Sequence, residues 1–482
     1  MANTTFVKKT RIPAPVEDVF AWHARPGALE RLTPPWTDMA VLEKTGLLEI
    51  GTNVTLRLKA GPIGYKWHSR HFALEKNRYF ADQQISGPFA VWIHKHRFHK
   101  DGGDCIYEDN VQYRLPFHPL STLAAGWWAA KELDAMFAWR HETVVQDAAL
   151  HQKIGASPMT IAISGASGMI GKTLVPFLTT GGHRVLKLVR REPSNPDEIF
   201  WDPARGKLNP QDLQGVDAII HLAGDNIGQG SWTKKKKRLI IESRELGTGL
   251  LARAAAAMDP KPKVFLSASA IGYYGDRGDQ VLTEQDGTGN LFISDVCDGW
   301  EKAAKPAVDA EIRTVFARIG VVLSPQGGAL REFLPVFKLG LGGRIGKGKQ
   351  YLSWIGIDDA VGSLFHLVCN ENAQGPVNIV APEPVTNGEF AKTLGRVLHR
   401  PAFLPVPAFA INLAFGEKGR EVVLASVRVS AEKLLDSGYA FRYPSLETAL
   451  RHMLGKIGDA KPPLKENNEK QGDPADSENT EA

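Results

Sequence analysis

The sequence predicts an α/β protein: a doubly wound parallel sheet with a small C-terminal lobe, preceded by a separate α+β domain. After about residue 158, short apolar strands alternate with helices, which is typical of a parallel sheet covered on both faces. Before that point, strand-like runs lead into one long helical segment without proline. A chain of 482 residues is also too long for one ordinary hydrophobic core. We expect domains at 1–152 and 158–404, a C-terminal extension of the second domain at 405–456 and a disordered tail at 457–482.

The composition is that of a globular cytoplasmic protein. Hydrophobic residues make up 43% and charged residues 23% of the chain. No apolar run approaches the roughly 18 residues that a membrane span needs, and the N-terminus lacks the apolar core of a secretory signal. The cysteines Cys105, Cys297 and Cys369 lie far apart without CxxC spacing. They are therefore predicted to be buried thiols in a reducing compartment rather than disulfides or metal ligands.

The net charge of +5 is unevenly distributed. Residues 458–482 contain seven acidic and three basic side chains, a net of −4, so the rest of the chain carries +9. The tail has no aromatic residue, which favours disorder. A mildly basic body suits an anionic cofactor as well as nucleic acid, but no nucleic-acid-binding module is recognisable. We expect a small-molecule substrate and no nucleic-acid partner.

The first domain is predicted to be a curved antiparallel sheet wrapped on one long helix. Thr5–Ile12 alternates like a strand, and a helix begins after Pro15 with acidic residues in its first turn. Leu120–Leu150 has helical periodicity. Further strand-like runs, separated by Gly, Asp and Asn, are found at Val54–Lys59, Tyr65–Leu74, Ala90–His99 and Tyr107–Arg114.

The second domain is predicted to begin with a strand at Met159–Ser164 and a helix that ends near Thr180. From Pro376 onward we expect a substrate-side lobe of short strands and helices. The remaining predicted elements are strands at His183–Val189, Val216–Leu222 and Val264–Ser267, and helices at Lys234–Met258, Asn387–Leu398 and Ser445–Leu454.

A glycine-rich turn joins that first strand to its helix. Glycine at the first position permits a tight turn, the second lets backbone N–H groups approach a pyrophosphate, and the third lets the helix pack closely. The helix N-terminus would face the phosphates. This context predicts a Rossmann-type dinucleotide-binding domain, with cofactor contacts from Gly165, Ser167, Gly168, Met169, Ile170 and Gly171.

The end of the second predicted strand indicates which dinucleotide binds. An NAD site usually carries an acidic residue about 20 residues after the glycine turn, where it holds the ribose hydroxyls. This chain has Arg190 and Arg191 there instead. Arginine suits a 2′-phosphate, so NADP(H) is the predicted cofactor, although a solvated strand end would also explain two arginines.

Four segments resemble the extended short-chain dehydrogenase/reductases of the epimerase-like group: Asp217–Gly224, Ser267–Gly275, Arg318–Leu323 and Trp354–Asp359. By this resemblance, the first segment is the strand end that lies against the cofactor. Its cofactor-binding candidates are His221, Leu222, Ala223 and Gly224.

A narrower resemblance is to an atypical subgroup called epimerase-like or cell-division-inhibitor-like. It rests on Ser324–Leu330, Leu339–Gly343, Ala381–Asn387 and Phe441–Pro444, and it spans about 158–454. Residues from about 405 to 454 resemble that subgroup's small C-terminal extension.

The catalytic motif of the family is missing. That chemistry uses Tyr-x-x-x-Lys, because the ammonium and the cofactor lower the pKa of the phenol. Cys297 and Glu301 occupy those two positions here. The remaining candidates are Ser269, for hydrogen bonding a substrate carbonyl, and a phenol from Tyr273 or Tyr274. Cys297 could be a nucleophile, but a small packing residue is the better prediction.

The first domain resembles the helix-grip superfamily, which includes polyketide cyclases and START lipid-transfer domains. The resemblance rests on Ile12–Phe20, the loop from Pro26 to Trp36 and the long final helix. It implies a cavity for an apolar ligand, although large aromatic side chains could fill that space. His94 and His96 share one strand face, but no carboxylate or cysteine lies nearby in sequence, so no metal site is predicted.

The sequence leaves three functions open. The first is an NADP-dependent oxidoreductase or epimerase whose helix-grip domain captures an apolar substrate. The second is a non-catalytic dinucleotide sensor, which the missing Tyr–Lys pair favours. The third is a carrier of a hydrophobic ligand that depends on the first domain.

Overall fold

The computed structural model describes residues 3–60, 63–116 and 120–457. Apart from Ile457, the tail predicted at 457–482 lies outside the described residues. No helix in the described part of the chain combines the length and the apolar character needed to cross a bilayer.

The N-terminal domain is a seven-stranded antiparallel sheet with one long helix. The strand order is β1-β7-β6-β5-β4-β3-β2, and every neighbouring pair is antiparallel. The elements are β1 (Thr4–Ile12), α1 (Val16–Ala24), α2 (Ala28–Arg31), β2 (Asp38–Lys44), β3 (Asn53–Ala60), β4 (Ile63–Glu75), β5 (Tyr79–Ser86), β6 (Val91–Asp101), β7 (Asp104–Arg114) and α3 (Leu120–Ile154). The predicted helix-grip architecture is thus confirmed. Strands β2 and β5 were not predicted from the sequence.

Alternation along β6 sets the inner face of this sheet. Trp92, His94, His96 and Phe98 are buried, while the residues between them are half-exposed. Aromatic rings occupy the space under α3: the Phe98 and Tyr107 ring centroids are 5.1 Å apart, and those of His94 and Phe137 are 5.3 Å apart. Two histidines therefore lie inside a mostly aromatic interior.

The second domain is built on a seven-stranded parallel sheet. Its order is β10-β9-β8-β11-β12-β14-β18. The main elements are β8 (Thr160–Ser164), α4 (Met169–Thr180), β9 (Arg184–Val189), β10 (Glu198–Phe200), β11 (Ala218–His221), α5 (Lys234–Ala256), β12 (Val264–Ala270), β13 (Val281–Leu282), α6 (Phe292–Lys302), α7 (Lys305–Asp309), β14 (Arg313–Ile319), β15 (Val321–Leu323), α8 (Gly328–Lys338), β16 (Tyr351–Leu352), β17 (Trp354–Gly356), α9 (Ile357–Cys369), β18 (Gly375–Ile379), β19 (Val385–Thr386) and α10 (Asn387–Leu398). This is the predicted doubly wound fold, and the strand order reverses between β8 and β11.

The sequence predicts that the substrate-side lobe begins at Pro376, and this prediction is wrong. That residue lies in β18, which hydrogen-bonds to β14 as the last strand of the parallel sheet. The later elements are α11 (Ala408–Lys418), β20 (Arg428–Val429), α12 (Glu432–Asp436) and α13 (Leu446–Met453). β20 pairs with β13, which fastens this region to the second domain.

Buried ion pairs hold the two domains together. The Arg31 guanidinium donates to both oxygens of Asp147 at 2.7 and 2.9 Å and lies 2.7 Å from Asp358 Oδ1. Arg442 donates to Asp147 at 2.7 Å. The four side chains are 0–6% exposed, and they come from α2, α3, α9 and the C-terminal region. Charge is therefore balanced between segments more than 200 residues apart.

The helix that follows the glycine turn is part of the same interface. His151 of α3 stacks on Phe177 of α4 with ring centroids 4.5 Å apart. Thr179 Oγ1 donates to the carbonyl of Pro26 at 2.6 Å, and Arg25 donates to the carbonyl of Thr180 at 2.8 Å. The C-terminal half of α4 thus packs on the helix-grip domain.

Candidate functional site

A cleft of about 1670 Å³ lies at the carboxyl ends of β8, β9 and β11. In doubly wound sheets this is where ligands bind, because the strand order reverses there and opens a crevice. The helix-grip domain contributes Arg25 and Glu30 to one wall. The predicted cofactor residues that line the cleft are Gly165, Ser167, Gly168, Arg190, Arg191, Leu222, Ala223 and Gly224.

Two glycines of the turn are required by close backbone contacts. Gly165 has a φ of +73°, and a Cβ there would lie 2.8 Å from the carbonyl carbon of Leu222. A Cβ on Gly171 would lie 2.3 Å from the Gly165 oxygen. Gly168 is less constrained, since the corresponding distance there is 3.2 Å. The first and third glycines therefore shape the turn.

The N-terminus of α4 is open to an anion. Its N-cap is Gly168, no side chain caps it, and its first turn contains no acidic residue. The first helical hydrogen bond runs from the Lys172 N–H to the Gly168 carbonyl. The N–H groups of Met169, Ile170 and Gly171 precede that bond and have no acceptor within the helix. Together with the helix dipole they form a phosphate-binding position.

The two arginines after β9 differ in whether they form an ion pair. Arg191 donates to both oxygens of Glu198, at 2.8 and 2.6 Å. This pair lowers the pKa of Glu198 to about 2. Arg190 is exposed, lines the cleft and forms no ion pair with a carboxylate among the described residues. Arg190 is thus the arginine available for a phosphate.

His221 does not line the cleft, contrary to its assignment as a cofactor contact. It is fully buried, and burial lowers its pKa to about 3, so the ring is neutral. Its Nδ1 lies 2.6 Å from Ser164 Oγ, which accepts from the N–H groups of Leu222 and Ala223 at 3.2 and 3.3 Å. His221 therefore positions the strand end that faces the cleft.

Ser269 at the end of β12 belongs to a buried charged set. Its hydroxyl donates to Glu301 Oε1 at 2.7 Å, and Ser269 is 2% exposed. Arg318 donates to the two Glu301 oxygens at 2.8 and 2.9 Å. Sequence reasoning did not identify Glu301 and Arg318 as site residues. The available signal was a carboxylate at the position of the family lysine.

The two tyrosines near Ser269 are also held by Arg318. Tyr274 is fully buried, its hydroxyl donates to Asn378 at 2.7 Å, and burial raises its pKa to about 12. It therefore cannot supply a phenol to a substrate in the cleft. Tyr273 is half-buried, and the Arg318 guanidinium carbon lies 3.6 Å from its ring centroid. Tyr273 remains the more accessible of the two.

Cys297 does not have the properties of a nucleophile. It is 1% exposed in α6 and packs with Ile240, Ile293 and Val296. Burial raises its pKa to about 12, so the thiolate is not formed near neutral pH. The structure corrects its assignment as a catalytic candidate: it is a packing residue.

Three family models match successive parts of the chain. Residues 12–141 match "Polyketide cyclase / dehydrase and lipid transport", and residues 161–379 match "NAD dependent epimerase/dehydratase family". Residues 406–453 match a domain of unknown function. A Mycobacterium bovis epimerase family protein, Mb2239, is 41% identical over 298 residues, which cover 62% of this chain and 98% of that protein. The chain belongs to the NAD dependent epimerase/dehydratase family.

Other members of this epimerase family are similar in sequence and fold. The human epimerase family protein SDR39U1 is 36% identical over 61% of this chain and all of that protein. Its crystal structure with NADPH has a TM-score of 0.57 and covers 61% of this chain and 99% of that one. A Corynebacterium glutamicum structure described as a nucleoside-diphosphate sugar epimerase is 34% identical, with a TM-score of 0.76. It covers 93% of this chain and 90% of that one, so the match includes both domains.

Proposed function

We propose that this chain is an NADP(H)-dependent oxidoreductase or epimerase that acts on a small molecule. The observation that carries the proposal is Arg190, an exposed guanidinium without an ion-pair partner among the described residues, at the end of β9 in the cleft. An NAD site would place a carboxylate there. The NADPH-bound structure of the human relative supports the same cofactor.

The residues of the cleft fit a dinucleotide. The free N–H groups at the start of α4 would hold the pyrophosphate, and Arg190 would pair with the 2′-phosphate of the adenosine. Leu222–Gly224 would lie beside the cofactor, on the backbone that Ser164 fixes. When bound, the nicotinamide supplies or accepts the hydride.

Ser269 would take part in the chemistry only where a substrate reaches the end of β12, because it is 2% exposed and is not among the residues that line the cleft. Its hydroxyl oxygen retains lone pairs for a substrate hydroxyl, and its proton points to Glu301. Glu301 in turn is neutralised by Arg318. In our proposal a substrate proton passes through Ser269 toward Glu301, in place of the Tyr–Lys relay that the chain lacks.

Cofactor titration tests the central claim. We expect NADPH to bind more tightly than NADH, and Arg190→Ala to weaken NADPH at least about 10-fold, the scale of a lost charge-assisted contact. NADH affinity should not change. Arg191→Ala is the matched control, because its guanidinium is already paired with Glu198. Tighter NADH binding, or an equal loss for both cofactors in Arg190→Ala, would contradict the proposal.

A non-catalytic dinucleotide sensor is the second candidate. It is favoured by the closed hydrogen bonding of Ser269 and by the buried, protonated thiol of Cys297. Single-turnover oxidation of bound NADPH by a panel of carbonyl compounds separates the two functions. Tight cofactor binding without oxidation by any of them would select the sensor.

A carrier function of the helix-grip domain is the third candidate. It is supported by the match of residues 12–141 to a family that includes lipid transport, and by the aromatic interior under α3. Solvent extraction of the purified full chain followed by mass spectrometry would detect an apolar ligand. Finding none would count against this function.

The three free thiols support the cytoplasm as the site of any of these activities.

A further inference from the structure

A cluster of ionisable side chains lies inside the helix-grip domain, far from the parallel sheet. It occupies the inner faces of three neighbouring strands. Asp82 of β5 is the cross-strand partner of His94 in β6, and His96 is the partner of Asp109 in β7. His94, His96 and Asp109 are at most 8% exposed, and the Asp82 side chain is 16% exposed.

Asp109 binds one nitrogen of each imidazole. His94 Nε2 lies 3.0 Å and His96 Nδ1 lies 2.7 Å from Asp109 Oδ1. The Tyr107 hydroxyl donates to the same carboxylate at 2.8 Å, and His141 Nε2 lies 3.1 Å from its other oxygen. Because an ionised carboxylate can only accept hydrogen bonds, the ring nitrogen that faces Asp109 carries a hydrogen in each of these contacts.

The opposite nitrogens of the two rings face Asp82. His94 Nδ1 is 3.7 Å and His96 Nε2 is 3.8 Å from Asp82 Oδ1, too far for direct hydrogen bonds. The three donor atoms lie within 4.8 Å of one another. With their hydrogens directed at Asp109, the two neutral rings present lone pairs to the Asp82 carboxylate. A proton on one ring, or a cation between the three groups, would relieve the resulting repulsion.

We propose that Asp82, His94 and His96 bind a divalent transition-metal ion of the Zn²⁺ class. Zinc bonds of about 2.0–2.1 Å in tetrahedral geometry separate ligand atoms by about 3.3 Å. The two distances from Asp82 Oδ1 to the histidine nitrogens, 3.7 and 3.8 Å, would therefore have to shorten by about 0.5 Å on metal binding. A metal-bound histidine typically donates its other N–H to a carboxylate, which is the role of Asp109. A doubly charged ion would also balance the two aspartates.

The site leaves one coordination position for another ligand. Three protein ligands plus one further position is the usual arrangement of zinc sites that bind water or substrate. His71 of β4 is the cross-strand partner of Asp82. Its Nδ1 is buried without a hydrogen-bond partner among the described residues, but His71 is not part of the set of ligand atoms within 4.8 Å of one another. This cluster was not predicted as a metal site because Asp82 is distant in sequence from both histidines.

Metal binding can be measured directly on the untagged, chelator-treated full chain. We expect it to bind one equivalent of ZnCl₂ by calorimetry. CoCl₂ should give the visible absorption of a four-coordinate ion. Asp82→Asn and His94→Gln should abolish stoichiometric binding, and Asp109→Asn should weaken it about 10–100-fold. His99→Gln, at an exposed position of the same strand, is the matched control and should bind normally.

The wild-type titration remains decisive even if a variant fails to fold. Circular dichroism melts would identify such a variant, and Asp82→Asn changes shape little at a side chain that still reaches solvent. Failure of the wild-type chain to bind either ion would overturn the proposal. Undiminished binding in folded Asp82→Asn and His94→Gln would place the metal elsewhere and would overturn it as well.

Discussion

Single glycines decide the shape of the cofactor turn, and they do so through different contacts. Gly165 turns the backbone through a positive φ against the end of β11, whereas Gly171 lets the start of α4 approach the turn itself. Gly168 supplies the N-cap from an extended conformation that any residue adopts. The three glycines of the turn therefore differ in how well they would tolerate a side chain.

We predict that Gly171→Ala disrupts cofactor binding. The new Cβ would lie 2.3 Å from the Gly165 oxygen, so the turn or the helix has to move. The free energy of unfolding should fall by about 1–3 kcal/mol, which is the usual cost of overpacking a core. The affinity for NADPH should fall by at least about 10-fold. Urea unfolding and fluorescence titration would measure both. Gly287→Ala, where a Cβ meets nothing within 4 Å, should change neither.

The buried histidines are a second residue-scale determinant. Burial lowers the pKa of His23 and His221 to about 3, and of His151 and His183 to about 4. Their unfolded-state pKa is near 6.5, so the unfolded chain takes up protons first as the pH falls. Their full stabilising contribution is present above pH 6.5 and is lost between pH 6.5 and about 3.

We predict a marked loss of stability between pH 7 and pH 5. Each fully buried histidine should cost about 2 kcal/mol at pH 5, from about 1.4 kcal/mol per pKa unit. Urea unfolding at pH 7, 6 and 5 would test the net sign. His23→Phe should flatten the dependence, and equal stability at pH 7 and pH 5 would contradict the prediction.

At the scale of elements, the strands with a strong apolar pattern were predictable and the polar ones were not. The β-branched run Thr160–Ser164 and the glycines after it indicated β8 and α4. In contrast, β5 carries Asp82, Gln83 and Gln84 in its middle, and this polar run interrupts the apolar pattern that would indicate a strand. Its aspartate is half-buried because histidines of the neighbouring strand lie beside it, a contact that local sequence does not encode.

The candidate site also combines residues that the sequence could locate with residues that it could not. The glycine turn and Arg190 could be located from their spacing alone, because both follow directly from consecutive strands and turns of the chain. Burial of Cys297 and Tyr274 could not be predicted, since Cys297 packs against α5 and Tyr274 packs against Val380 and Val429, all of which are distant in sequence. The ion pair between Glu301 and Arg318 joins α6 to β14.

We predict that Glu301→Gln destabilises the second domain more than a surface pair would suggest. The amide would leave Arg318 as an uncompensated buried charge, which should lower the free energy of unfolding by about 3 kcal/mol. Lys302→Gln on the same helix breaks an exposed pair with Asp298 and should cost less than about 0.5 kcal/mol. Thermal and urea unfolding of both variants would compare them. Equal effects would show that the buried pair is not a structural link.

At the scale of the whole molecule, four buried charges connect the helix-grip domain to the rest of the chain. The sequence predicted both domains but not their contact, because Arg31 and Asp358 are ordinary surface residues by local composition. Their partners come from segments far apart in sequence. Trp139 adds an aromatic contact with His452 of the C-terminal region, with ring centroids 5.7 Å apart.

We predict that Arg31→Met uncouples the unfolding of the two domains. Asp147 would keep only Arg442 as a strong partner, and Asp358 would keep only His452. The stability of the interface should fall by about 3–5 kcal/mol, the cost of breaking a buried ion pair. Calorimetry should then show two transitions where the wild type shows one. A single transition at an unchanged temperature would contradict the prediction, and Arg11→Met, at an exposed pair, is the control.

The position of α4 has a consequence for how the two domains respond to ligands. Its first turn offers amides to the phosphate end of the cleft, and its last turn is fixed to Pro26 and Arg25 of the neighbouring domain. A ligand that displaces the α1–α2 loop would thus alter nucleotide affinity. Thermodynamic reciprocity requires the nucleotide to alter the affinity of that ligand by the same factor. Nucleotide titration can therefore serve as an indirect assay for an effector of the helix-grip domain.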